Sequence, residues 1–186
     1  MKSVSSRRDF LAQFGGLWLA ANLPLLRSLG ARAREAAATG GAFTTLAESE
    51  ARAFEAVAAQ IFPSGRLPGA REAGAVYFAD GALGSFFAEQ LPDMQRGLAD
   101  LDRRAHALGG RPFAELDDAR QKILLHELEP TPVFQGIWML TVMGVFAEPR
   151  YGGNREGAAQ RLLGITRAPT YQPPFGFYDA RTGADD

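Results

Sequence analysis

From about Thr45 to Leu163 the apolar residues recur at steps of three and four, the period of helices that bury one face. Phe54, Val57, Ala58 and Ile61 define a first helix, which Pro63 stops. Thr45-Leu-Ala-Glu48 fits a capping box at its start, with the Thr hydroxyl and the Glu carboxylate satisfying free backbone donors. After the loop PSGRLPG, a second helix is expected over about Ala70 to Leu83, with Ala73, Val76 and Tyr77 inward. In a third, Leu91, Met94, Leu98, Leu101, Ala105 and Leu108 alternate steps of three and four, and Gly109 and Gly110 close it. A fourth begins near Asp117 or Asp118 and carries Ile123, Leu124 and Leu128.

The fifth helix lacks that alternation. Thr131 can cap it and Pro132 suits its first position. The run VFQGIWMLTVMGVF, Val133 to Phe146, is then apolar on nearly every side, the composition of a helix buried all round or in a membrane. At about 16 residues it is shorter than the ~20 that span a bilayer, so a central core helix is expected. Pro149 prevents its continuation, and Asn154 can cap a last short helix ending at Gly164. No run alternates as a strand would. The fold expected is all-α: a single compact domain of about six helices, residues 43–165, followed by a Pro/aromatic tail, residues 166–186.

The first 38 residues have a different pattern. Lys2, Arg7 and Arg8 precede a modest apolar stretch, Phe10 to Leu26, and small residues follow, the three-part layout of a secretory signal. SRRDFL, with Arg7, Arg8, Phe10 and Leu11, resembles the twin-arginine export signal, whose arginine pair is read as an address. This segment is expected to be removed, leaving a periplasmic protein. Through Ala33 there are five positive side chains against Asp9, a charge of +4; with −1 for the whole chain, the remainder carries −5. Such a balance argues against nucleic acid as a partner.

Chemistry in this chain is sparse. The absence of Cys removes thiol nucleophiles, disulfides and Cys-ligated metal clusters. The two histidines, His106 and His126, sit in no metal-binding spacing, and no Gly-rich nucleotide loop follows a strand-like run. Catalytic, cofactor and metal residues are therefore expected to be none. Because the twin-arginine route carries folded cargo, a chain without a cofactor site points to a partner.

EPRYGGNREG, Glu148 to Gly157, gathers charges, an aromatic and a Gly-Gly-Asn turn at the end of the apolar helix. A helix-breaking turn with solvated charges is one account of it. A rigid turn presenting Tyr151, Asn154 and Arg155 to a partner is the role expected of it, since Tyr and Arg often anchor interfaces. In the tail, Tyr171, Phe175, Phe177 and Tyr178 are separated by Pro and Gly and are too many for an ordinary disordered end. They either fold back on this domain or lie as an extended arm on the partner.

PRYGGNREGAAQRLLGI resembles the signature of the gluconate 2-dehydrogenase subunit 3 family. LAESEARAFEAVAAQIFP, LPGAREAGAVYFAD and GRPFAELDDARQ fit the same family in order, over about Thr45 to Ile165. The resemblance implies the small, non-catalytic subunit of a periplasmic sugar, sugar-acid or glycoside dehydrogenase. Its partner would be an FAD-containing subunit of the glucose–methanol–choline oxidoreductase type. A multihaem cytochrome c carrying haem c is the third subunit implied, and would associate the complex with the membrane. The small subunit would bear the export signal and help the flavoprotein fold and cross. An independent periplasmic helical enzyme or ligand-binding domain is the alternative.

Overall fold

The computed structural model describes residues 42–165, and every described element is helical. The helices are α1 (Glu48–Ile61), α2 (Ala75–Leu83), α3 (Leu91–Gly109), α4 (Asp118–Leu128), α5 (Pro132–Phe146) and α6 (Ala158–Leu163), with single 3₁₀ turns between several of them. The export-signal residues Arg7, Arg8, Phe10 and Leu11 and the tail aromatics Tyr171, Phe175, Phe177 and Tyr178 lie outside the described residues.

The starts and stops of these helices have local causes. Asp117 accepts the Arg120 backbone N–H at 2.9 Å ahead of α4. Thr131 accepts that of Phe134 ahead of α5, where Pro132 takes the first position and loses no intrahelical bond. Gly110, at φ 69°, turns the chain out of α3.

One core is shared by α1, α2, α3 and α5. Phe54 and Val57 of α1, Val76 and Leu83 of α2, Leu98 and Leu101 of α3, and Ile137, Leu140 and Val145 of α5 are all buried. The short turn Phe113–Glu115 adds Phe113, which has no exposed surface. It is fixed from both sides: its N–H donates to Asp102 at 2.8 Å, and its carbonyl accepts from the buried Gln121 side chain at 3.0 Å.

Several expectations are corrected. Thr45 does not cap α1: Ala47 holds the cap position, and its N–H donates to the Glu50 carboxylate at 2.8 Å. The α2 helix begins at Ala75 rather than Ala70, because residues 70–74 form turns that end at Gly74 with φ 69°. Ile123 is 54% exposed, and Leu125 joins Leu124 in the core instead. Leu108, near the end of α3, is exposed as well.

The largest correction concerns α5. It is not buried all round. Ile137, Leu140, Thr141, Gly144 and Val145 face the core, whereas Trp138, Met143 and Phe146 are exposed at 48%, 37% and 42%. A helix with apolar residues on all sides carries no phase in its periodicity, so sequence alone could not say which side the neighbours would cover.

Candidate functional site: the turn after the apolar helix

The α2 and α5 helices form the most extensive helix pair, and a glycine lets them approach. A Cβ at Gly144 would lie 2.8 Å from the Cα of Ala75 and 3.0 Å from its carbonyl oxygen. The same glycine receives the turn: the Asn154 N–H donates to the Gly144 carbonyl at 2.8 Å. Gly153 lies so close above it that a Cβ there would be 2.0 Å from that oxygen. Two small residues thus bring three backbone segments together at the C-terminal end of α5.

The turn is wound tightly. Gly152, Asn154, Glu156 and Gly157 all have positive φ, at 94°, 47°, 51° and 70°. For Asn and especially Glu this region is unfavourable, and it persists only where surrounding contacts fix it. Asn154 makes such contacts. It is 2% exposed. Its amide donates to the Ala147 carbonyl at 2.9 Å, and its side-chain oxygen accepts the Ala159 N–H at 2.8 Å. It therefore ties the first residue after α5 to the first turn of α6. Gly157, not Asn154, holds the cap position of α6, although Asn154 still accepts one of that helix's first N–H groups from five residues away. Buried and bonded in this way, its side chain has no free surface to offer a partner, which corrects the expected contact.

Arg155 and Tyr151 are placed differently. The Arg155 N–H donates to the Ala73 carbonyl at 3.0 Å, which fastens the turn to the start of α2. The Arg155 guanidinium lies 4.9 Å above the Tyr77 ring, and the Phe43 ring stacks on Tyr77 at 5.2 Å. Tyr151 is half-buried against the core, with the Arg150 guanidinium 5.0 Å from its ring. Both keep partial exposure.

A second fastening went unread in the sequence. Asp80, buried in α2, accepts four hydrogen bonds from the segment that enters the domain: the N–H groups of Thr44, Thr45 and Leu46 and the Thr44 hydroxyl, all at 2.8–2.9 Å. A lone acid in the apolar run AVYFADGAL was the available signal. Burial of a carboxylate costs several kcal/mol unless it is fully bonded, and here the entering segment supplies the donors. Tyr77 and Asp80, one turn apart on α2, thus hold the entry segment, while Tyr77 also meets the turn.

The titrating groups with displaced pKa values are elsewhere. A hydrogen bond from Ser64 holds the Glu72 carboxyl below its ordinary value, and Arg104 does so for Asp100. The backbone N–H of Arg120 lowers Asp117, and Lys122 lowers Asp118. Glu72 braces the loop after α1 through Ser64 and Gly69, and the others are a helix cap and exposed ion pairs. Among the described residues no three His, Cys, Asp or Glu side chains are grouped to hold a metal ion, and no helix is long and apolar enough to cross a membrane.

What this geometry defines is a helical body whose distinctive turn joins helices and whose broadest apolar helix has an uncovered side. The family profile described as gluconate 2-dehydrogenase subunit 3 matches residues 48–164, and the chain belongs to that family. It is accordingly a subunit of a dehydrogenase complex. No curated protein and no solved structure matches the chain significantly.

Proposed function

We propose that this chain is the non-catalytic small subunit of a periplasmic, FAD-dependent sugar, sugar-acid or glycoside dehydrogenase, with a catalytic flavoprotein of the glucose–methanol–choline type. The observation that carries this reading is the family match across nearly the whole helical body. The twin-arginine pattern at Arg7 and Arg8 supports the export part of it. The small subunit folds, binds the flavoprotein in the cytoplasm, and lends its signal to the folded pair. A cytochrome bearing haem c then takes the electrons onward. The chain itself supplies surface rather than chemistry: the side chains of its distinctive turn hold helices together.

The test is to replace Arg7 and Arg8 by Lys in the native host and follow both subunits. Charge is kept, but the planar guanidinium pair is not. Both proteins are expected to remain in the cytoplasm. Arrival of the flavoprotein in the periplasm of that mutant would refute the carrier role. Flavin bound stoichiometrically to this chain purified alone would refute the non-catalytic assignment.

A further inference from the structure

At 3.6 residues per turn, Trp138, Met139, Val142, Met143 and Phe146 fall on one side of α5, opposite the buried Ile137, Leu140, Gly144 and Val145. The five are exposed or half-exposed. Phe62, just past α1, meets Phe146 edge-to-face at 6.1 Å and extends the ridge onto a second element. From Pro132 to Phe146 there is no charged residue.

Two grooves flank α5, both towards its N-terminal half. One, of about 740 Å³, separates it from α3, with Met94, Gly97, Val133 and Met139 in its wall. The other, of about 630 Å³, separates it from α4 and the end of α1, with Ile61, Ile123 and Phe134 in its wall. Charged residues stand on the outer sides of these grooves: Asp93 and Arg96 along the first, Lys122 and Glu127 along the second. An apolar centre with a charged rim is the anatomy of a protein–protein interface.

Size narrows the occupant. An aromatic side chain carries about 150–250 Å², so Trp138 and Phe146 together leave on the order of 200 Å² in water. A stable interface needs about 800 Å² on each side. The ridge alone falls short of that, so an occupant must straddle it and enter both grooves.

We propose that the outward ridge of α5 is the docking surface for the catalytic subunit of the complex, received in an apolar cleft of that subunit. This rests on the accessory-subunit reading above and names the surface that performs it. The ridge supplies the apolar anchors and the charged rim sets their orientation.

The experiment uses the full chain in its native host, with a photo-crosslinking amino acid in place of Met143 and, separately, in place of Leu67, an exposed residue of the loop after α1. Mass spectrometry identifies what each position captures. The expected result is a crosslink from position 143, and not from 67, to the catalytic dehydrogenase subunit. Trp138→Glu should lower recovery of that subunit at least tenfold with the helical circular dichroism signal unchanged, while Trp138→Phe retains it. Capture from position 143 of a second copy, or of residues 166–186 of the same chain, overturns the proposal, as does no capture at all. If the catalytic subunit purifies with the unmodified chain yet Trp138→Glu binds as well, only the ridge is refuted. If no dehydrogenase subunit accompanies the unmodified chain, the accessory-subunit reading falls too.

Discussion

The turn at 147–157 and the outward side of α5 adjoin each other and invert the usual relation of polarity to exposure. The turn contains Asn, Arg and Glu, yet its Asn is buried and its Arg lies along an aromatic ring. The α5 side contains Trp, Met and Phe, yet stands in water. Polar groups enter an interior when the backbone there needs partners, as the unpaired carbonyls after α5 and the free N–H groups before α6 do. Apolar groups remain outside when the chain folds for a second chain. The turn makes this body one unit; the ridge makes it one part of a larger assembly.

If that contrast holds, a methyl group in the turn should do more damage than loss of a whole indole from the ridge. Gly153→Ala is expected to have the largest effect. The obstacle it meets is the Gly144 carbonyl, which is backbone and cannot rotate aside. The turn must lift, and the Asn154–Gly144 hydrogen bond is lost with it. A loss of about 3 kcal/mol is expected, lowering the thermal midpoint by roughly 10 °C. A melting curve within 2 °C or so of the parent would show that the turn merely rests on α5.

Asn154→Ala should follow, at about 2 kcal/mol, because it strands the Ala147 carbonyl and the Ala159 N–H and puts an alanine at φ 47°. Asn154→Gly separates the two causes. Glycine accepts the backbone angle freely but restores neither hydrogen bond, so it should recover less than half of the loss. Full recovery in chemical denaturation would mean that backbone angle, not bonding, is the reason for asparagine.

The parts that were legible in the sequence follow the same division. Helices with a clear apolar stripe were readable: Phe54, Val57 and Ala58 in α1, and Met94, Leu98, Leu101 and Ala105 in α3, all lie in the core. The caps Asp117 and Thr131 were readable because the cap is a local interaction. The exposure of Ile123 was not, since Leu124 and Leu125 offer an equally apolar choice one and two steps on. The side of α5 that faces water was not readable either, for the same reason carried to its limit. Asp80 was missed because its donors lie some thirty-five positions earlier, and no local pattern reports a contact at that range. At the turn, the sequence marked the residues but not their direction. Positive φ at Asn154 and Glu156 depends on Gly144 and Ala73, which only the fold brings near.

The smallest stability effect is expected at the ridge, with Trp138→Ala in the isolated chain. Trp138 is 48% exposed, so about half of its surface gains nothing from folding. Alanine is the best helix former and returns about 0.5 kcal/mol of the remainder. The net loss should be about 1.5 kcal/mol, a shift of roughly 5 °C. Binding should respond in the opposite proportion, since truncating an aromatic anchor at the centre of an interface removes about 2 kcal/mol or more, some thirtyfold in affinity. Differential scanning calorimetry of the isolated chain and titration against the purified catalytic subunit give the two numbers. The contrast between turn and ridge requires the binding loss to exceed the folding loss. If Trp138→Ala melts as early as Gly153→Ala, the indole belongs to the core of this domain and the ridge is not a surface awaiting a partner.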